Sequence, residues 1–277
     1  MLSSPTHASD LSSFAAVIEA ARRDGLADAI NDAPAANPVT GAYPKEPAFF
    51  FSCDAKYAGM CFTLLTSISE YSPGVRCHVH LIDAAPETEL GARNIPVNLS
   101  FTQERSGLTD QKAQWAYYNA IRFVRFAEAL EHNTGPLWIA DVDAIVTGDI
   151  RPLLSVSSEV AFRMRPGRAP LNEQVGACLV QGSPASRDFF NHVSRFIRSR
   201  PMWWGIDQLA LFSALARYQT DVELLGPDVA AVEADKPGLF WFTAGAAKKS
   251  LLQDDTQYAR EFRRVANKYV SLRASSQ

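Results

Sequence analysis

Two aspartates, Asp141 and Asp143, stand one residue apart inside an otherwise apolar run, "WIADVDAIVTGDI", at residues 138–150. The flanking Trp138, Ile139, Ile145 and Val146 put the turn at least partly out of water. Carboxylates this close repel each other, and burial raises the cost of their charge unless a cation or a proton intervenes. A hard divalent ion, Mg or Mn, takes oxygen ligands and would tie the two together. Two chemistries use such a pair. In nucleotide-sugar transfer the ion neutralises charge that builds on a departing nucleoside diphosphate. In phosphoryl transfer the first Asp attacks phosphorus and the second serves as acid and base. Aspartates at a strand end also simply open a turn, so the pair alone leaves three readings open.

The elements that must position this pair follow from hydrophobic patterning. "GPLWIAD" reads as a strand delivering Asp141 at its carboxyl end, where open α/β sheets bind ligands. "AFFFS" at 48–52 is fully apolar, the pattern of a strand buried on both faces. A helical stretch from Tyr57 to Glu70 follows, then the strand "CHVHLI", the helical "APETELGARN" and the strand "VNLSF". A long helix fits residues 110–130, with Ala113, Tyr117, Ala120, Val124, Ala127 and Leu130 as its buried stripe. Tyr118, Arg122 and Arg125 share another stripe, from which a guanidinium either aims at phosphates or the Asp pair or lies solvated. Beyond the aspartates, "EVAFRMR", "VGACLVQG" and "GLFWFT" read as strands. "PASRDFFNHVSRFIRS", "IDQLALFSALARY" and a charged C-terminal stretch read as helices. This alternation implies an α/β fold, a Rossmann-like and mostly parallel central sheet flanked by helices. Residues 1–47 stand apart as an amphipathic helix over 9–30, carrying Phe14, Val17, Ile18 and Ala21, and a proline-rich linker. Residues 48–277 form the main domain.

Composition narrows the function. The 277 residues are 47% hydrophobic, enough for a sizeable core. A net charge of −3 and no polybasic face exclude a general nucleic-acid binder. No apolar run approaches the ~20 residues of a membrane span. The N-terminus lacks the basic start and apolar block of a secretory signal. Cys53, Cys61, Cys77 and Cys178 lie in apolar surroundings without metal-type spacing, as free thiols in a reducing compartment do. The expectation is a cytoplasmic protein with no transmembrane segment.

More specific is the order of the motifs. "FFFSCDAKYAGMCFTLLTSISEYSPGVRCHVHLID" followed by "YYNAIRFVRFAEAL…PLWIADVDAIVTGDI" resembles the GT-A glycosyltransferases, above all glycosyltransferase family eight. Asp54, Tyr57, Ser67, Asp83, Tyr118, Arg122, Asp141 and Asp143 fall in that family's order, over about residues 48 to 250. The resemblance implies transfer of a sugar from a nucleoside-diphosphate donor, UDP-linked, to a glycan, lipid or protein acceptor, with retention at the anomeric carbon. It places Asp54 and Tyr57 at base and ribose, Tyr118 and Arg122 at the donor, and Mn or Mg on Asp141 and Asp143. "NEQVGACLVQGS" resembles the sugar-pocket strand, with Gln174 in place of the family's Asn and Asn172 as its competitor. "WWGIDQLALFSAL" resembles the Asp-Gln segment beside the transferred sugar, matched by Asp207 and Gln208; a helix-starting Asp also serves as a plain cap. Trp203 and Trp204 before it either stack on a sugar face or fill the core. Gly245 and Lys248 match the residues that reach the diphosphate.

One departure stands out. The family carries a histidine as third metal ligand near its C-terminus, and here Trp241 and Phe242 occupy that region. His78 and His80, on the second strand, read as structural. This departure keeps open a catalytically degenerate sugar-nucleotide-binding protein. The phosphoryl-transfer alternative, of the haloacid-dehalogenase type, has Ile145 at its Thr/Val position and needs a downstream Lys with an acidic pair, for which Lys248, Asp254 and Asp255 are available. "FRMRPGRAP" brings Arg163, Arg165 and Arg168 together, either as a solvated loop or facing an anionic acceptor.

Overall fold

The computed structural model describes residues 8–28, 30, 32–46, 49–163, 176–231, 237–242 and 255–275. Its strands are β1 (Thr40–Gly41), β2 (Phe49–Asp54), β3 (Arg76–Ile82), β4 (Asn98–Glu104), β5 (Leu137–Ala140), β6 (Ala144–Val146), β7 (Val160–Phe162), β8 (Ala177–Val180), β9 (Val222–Leu224), β10 (Ala230–Ala231) and β11 (Phe240–Phe242). The helices are α1 (Ala8–Arg23), α2 (Ala58–Tyr71), α3 (Pro86–Arg93), α4 (Gln111–His132), α5 (Pro184–Arg198), α6 (Ile206–Arg217) and α7 (Gln257–Ser275). The main sheet runs β1-β4-β3-β2-β5-β8-β7-β9, and β10-β11-β6 make a smaller one. β4, β3, β2 and β5 are mutually parallel, whereas β8 runs antiparallel to both β5 and β7.

The apolar run at β2 is buried on both faces because the sheet lies between two cores. Phe50, Ile82, Ile139 and Cys178 pack under α4, α5 and α6. Phe49, Phe51, Trp138 and Ala140 pack on the other face against α2 and the small sheet. Successive residues of a strand point to opposite faces. Three consecutive phenylalanines therefore serve both cores, each stabilising by roughly 1.5–3 kcal/mol. All four cysteines are buried and free.

The N-terminal helix is shorter than its periodicity predicts. It stops at Arg23 because Gly25 adopts φ +72°. The Leu26 N–H then closes back on the Ala21 carbonyl (3.0 Å) and the Gly25 N–H on that of Arg22 (3.2 Å), a glycine-terminated helix end. α1 lies against α6, with Ile18 and Ala21 inside the first core and Arg22 Nε donating to the Ala216 carbonyl (2.9 Å). The following segment crosses behind α4, where Asn37 Nδ2 donates to the Tyr117 hydroxyl (2.9 Å). It ends as β1, which pairs with β4 and covers that sheet edge.

Asp141 to Asp143 form the corner between the two sheets. β5 ends at Ala140 in the large sheet, and β6 begins at Ala144 in the small one. That is why the chain turns apolar again directly after the acids. The corner is fixed from three sides. The Asp141 N–H donates to the Gly176 carbonyl (2.9 Å) and the Ala144 N–H to that of Asp141 (3.2 Å). The Ser67 hydroxyl of α2 donates to the Leu64 carbonyl (2.7 Å) and accepts the Val146 N–H (2.9 Å). From α7, the Tyr258 hydroxyl donates to the Asp143 carbonyl (2.8 Å).

Candidate functional site

The carboxyl ends of β2, β3 and β5 carry Asp54, Asp83 and Asp141, and α4 contributes Tyr118 and Arg122 one turn apart. At β2, Asp54 caps the short turn Ala55–Tyr57 by accepting the Tyr57 N–H (2.8 Å). Burial, outweighing that bond and nearby Lys56, raises its carboxyl above the ordinary range. At β3, Asp83 sits at φ +50° and accepts from the Ser106 N–H (2.9 Å), the Ser106 hydroxyl and the Tyr118 hydroxyl (3.0 Å). Burial first, then Asp83, pushes the Tyr118 phenol to about 12.

Arg122 is the cation of the site. Nη1 donates to Asp141 Oδ1 and Nη2 to Asp207 Oδ2 (3.0 Å), so one guanidinium joins the end of β5 to the start of α6. Asp207 and Gln208 lie in the first turn of α6, both buried. An acid there gains from the helix dipole. Gly205 at φ +99° sets the entry to that helix. Among the described residues nothing satisfies the buried Oε1 of Gln208. An amide oxygen withdrawn from water in this way is costly unless something donates to it.

Arg125 corrects a sequence expectation. It is neither solvated nor aimed at the aspartates; it is 1% exposed and binds Glu104, Glu128 and the Asn37 carbonyl. The helix face that carries it is covered by β4 and the segment before β1, which periodicity within the helix does not reveal. His78 and His80 are buried on β3 and bonded to Ser100 and Thr102, a structural arrangement. Trp203 and Trp204 do not fill the core: they are 41% and 62% exposed. Trp241 and Phe242 belong to β11 and are buried, Trp241 against Tyr258 and Phe262. Phe242 pairs opposite Ala144, the residue that follows Asp143. Gly245, Lys248, Gln174, Asn172, Arg165, Arg168 and Asp254 lie outside the described residues. Asp255 is 88% exposed and paired with Arg260 (3.1 Å), away from the buried setting an acidic phosphoryl-transfer pair requires. Arg163 Nη1 donates to the Leu225 carbonyl (3.4 Å).

Sequence reasoning missed two neighbours. Lys56 Nζ lies 5.8 Å from the Tyr57 ring and 5.5 Å from the ring of Trp115 on α4. Trp115 precedes Tyr118 and Arg122 by three and seven residues, and that helical spacing was its available signal. As for a metal, Asp141 and Asp143 supply the oxygen ligands a hard divalent ion accepts. Asp141 turns one oxygen to Arg122, and a carboxylate has two. Among the described residues no group of three His, Cys, Asp or Glu could hold an ion. An ion held by this pair would have to take its other ligands from a bound anion and water.

No family profile matches the sequence, and no curated protein does. Solved structures do. The apo bifunctional glycosyltransferase WbbM matches at TM-score 0.60 and 14% identity, over 84% of this chain and 51% of its own. The galactosyltransferase LgtC, in complex with donor and acceptor sugar analogues, matches at 0.60 and 15%, over 79% and 95%. The glycosyltransferase GlyE of Streptococcus pneumoniae TIGR4 matches at 0.54 and 12%, over 80% and 61%. The chain has the GT-A fold. It spans about half the length of WbbM. At such identities a likeness carries the GT-A architecture and not the reaction, which resides in site residues. The GT-A sheet here places its acidic cluster at the strand ends where that architecture exposes a crevice. No helix of the described residues is long and apolar enough to cross a membrane.

Proposed function

We propose that this chain is a glycosyltransferase that moves a sugar from a nucleoside-diphosphate donor, UDP-linked, to an acceptor hydroxyl, with retention. One observation carries the reading. Asp54, Tyr118, Arg122, Asp141, Asp207 and Gln208 come from four separate elements, and all gather at the β2-β5 strand ends and the start of α6. In the reaction the bond from the anomeric carbon to the diphosphate oxygen breaks and a bond to the acceptor oxygen forms. The acceptor proton leaves to the diphosphate or to solvent.

Asp54 and Tyr57 hold base and ribose, Tyr57 with its aromatic face. Asp141 and Asp143 would hold Mn or Mg, which when bound neutralises the departing diphosphate. Arg122 keeps Asp141 and Asp207 in fixed relation, so metal side and sugar side move as one unit. Asp207 and Gln208 position the sugar, with Gln208 Oε1 taking a hydroxyl donor. Gly245 and Lys248 reach the leaving diphosphate, and Gln174 the sugar, on the strength of the motif alone. The glycosyltransferase neighbours support this reading, and one matched LgtC structure is an active-site glutamine-to-glutamate mutant.

A binding-only reading is favoured by one feature, the burial of Trp241 and Phe242 where the resemblance calls for a histidine. Calorimetry with UDP, with and without Mn, together with hydrolysis of a UDP-sugar panel, separates the two. Metal-dependent binding with turnover supports the transferase, and binding without turnover the binding protein. Unchanged turnover in Asp143→Ala would overturn the site assignment. Absence of UDP binding, with phosphate-ester cleavage abolished by Asp141→Asn, would move the function to phosphoryl transfer.

A further inference from the structure

Exposed arginines on this chain commonly stand beside an acid: Arg22 with Glu19, Arg76 with Glu46, Arg93 with Glu89, Arg151 with Asp149 and Arg264 with Glu261. Arg195, Arg200 and Arg217 are exposed too, yet among the described residues none of them pairs with a carboxylate. A run of ring contacts holds them on one face. The guanidinium carbon of Arg217, the last residue of α6, lies 5.7 Å from the centre of the Tyr218 ring. Tyr218 meets His192 of α5 edge-on at 5.7 Å, and His192 lies 6.4 Å from Phe196. The Arg200 guanidinium covers the Phe196 ring at 3.6 Å. Burial first, and then Arg217, Arg195 and Arg200, bring the His192 imidazole down to about 4, so a further positive charge is unwelcome there. Like charges gathered without a fixed acid suit an anion from outside, and a guanidinium grips a phosphate with two parallel N–H bonds. The chain then runs from Arg200 through Pro201 and Met202 into Trp203 and Trp204, both exposed. Met202 packs on the first core, the Ile206 N–H donates to the Trp203 carbonyl (3.2 Å), and Gly205 at φ +99° turns the chain into α6. Two indoles are thus held out from a fixed turn directly after the unpaired arginines.

We infer that this face docks the chain on an anionic phospholipid bilayer, with Arg195, Arg200 and Arg217 taking lipid phosphates and Trp203 and Trp204 entering the headgroup region. The inference is independent of the transferase reading. Single exposed apolar residues need no explanation, but two consecutive indoles beside three unpaired guanidiniums do. Indoles gather at the boundary of headgroups and acyl chains because the ring is apolar and its N–H edge is not. Arginine lays its stem along apolar surface and keeps its charge at phosphate level. A dissolved polyanion would meet the arginines but leave both indoles in water, and a chain of net charge −3 repels a long polymer beyond the patch. Docking also sets an orientation. Asp207 lies three residues past Trp204, a span of at most about 11 Å, so the α6 end of the candidate site is held close to the bilayer.

The test uses the full chain. Co-sedimentation compares vesicles of phosphatidylcholine alone with vesicles of phosphatidylcholine and phosphatidylglycerol, at low and high salt, and indole emission is followed on the same vesicles. The wild-type chain binds the anionic vesicles, its emission shifts to the blue, and high salt releases it. Arg195→Gln and Arg217→Gln each lower the partition by about fivefold. Trp204→Ala lowers it by about tenfold, and Trp204→Phe retains most of it. Arg93→Gln removes the same charge on α3, across the sheet from α5 and α6, and binding stays within about twofold. Each substitution alters an exposed residue, and Arg195→Gln and Trp204→Ala report separately on the charged and apolar halves of the face. The inference is overturned if anionic vesicles are not bound or if neutral vesicles bind equally well. It is also overturned if Arg195→Gln and Trp204→Ala both bind as the wild type does, or if Arg93→Gln weakens binding as much as Arg195→Gln. Binding of heparin or a single-stranded oligonucleotide without binding of vesicles would overturn it in favour of a soluble polyanion.

Discussion

Replacing Arg122 by Met removes the cation that, among the described residues, bridges Asp141 and Asp207. The side chains of Arg122, Asp141 and Asp207 are 16%, 24% and 6% exposed, so the Asp207 contact is the more sheltered of the two. Deleting one partner of a fully buried ion pair costs about 3–5 kcal/mol, because the other charge is left unpaired. Water reaching Asp141 offsets part of that, which brings the expected loss to about 2–4 kcal/mol. The decisive measurement is a double-mutant cycle with Asp207→Asn, read by urea unfolding at pH 7.5 in the absence of divalent ions. In the Arg122→Met background the second change removes an orphaned carboxylate, so it costs nothing or restores stability. The two effects then fall short of additivity by about 1.5–3 kcal/mol. Arg122→Lys recovers less than half of the loss, since a point charge does not span two carboxylates as a guanidinium fork does. Additivity within about 0.5 kcal/mol, or an Arg122→Met variant as stable as wild type, would refute the bridging role.

Ser67→Ala leaves the Val146 N–H, buried behind the aspartate corner, without its acceptor. It is expected to cost about 1–3 kcal/mol, seen as a Tm lowered by about 2–5 °C for a chain of this length; an unshifted Tm would count against it. His78 is held to about 3 by burial and then by His80, well under its ordinary value near 6.5. The folded chain therefore binds fewer protons than the unfolded one between these values. The resulting stability is complete above about pH 6.5 and is lost as pH falls, by about 2 kcal/mol at pH 5. Urea unfolding at pH 7.5 and pH 5 in wild type and His78→Gln checks this, since the variant should lose about 2 kcal/mol less; equal losses would refute it.

Much of the architecture was legible before any coordinates. β2, β3, α4, α5 and α6 lie close to where apolar runs and helical periodicity put them, because both signals report burial along a single element. Four short strands, β1, β6, β9 and β10, were not legible, whereas β7 and β11, no longer, lie inside longer stretches that read as strands. β6 in particular was read as a continuation of the turn; only its pairing with β11 makes it a strand. The α1 stop at Arg23 lies just before Asp24-Gly25, a glycine signal that the expected helix over 9–30 runs through. Arg125 was misjudged because the groups that bury it, Glu104 and Asn37, come from β4 and the segment before β1.

For the site, the sequence by itself determined which chemistry was available: two carboxylates at a strand end, an Asp-Gln pair opening a helix, and aromatic and cationic positions one turn apart. Residue types and short spacings carry that, because they depend only on local geometry. Tertiary structure alone decided what the charges do to one another. Arg122 is 19 residues from Asp141 and 85 from Asp207 along the chain, and no local rule selects it over Arg125 as their counter-ion. The choice is made where α4 crosses the end of β5 and meets the start of α6. Coulomb attraction between ionised side chains falls with distance in space and is indifferent to distance in sequence.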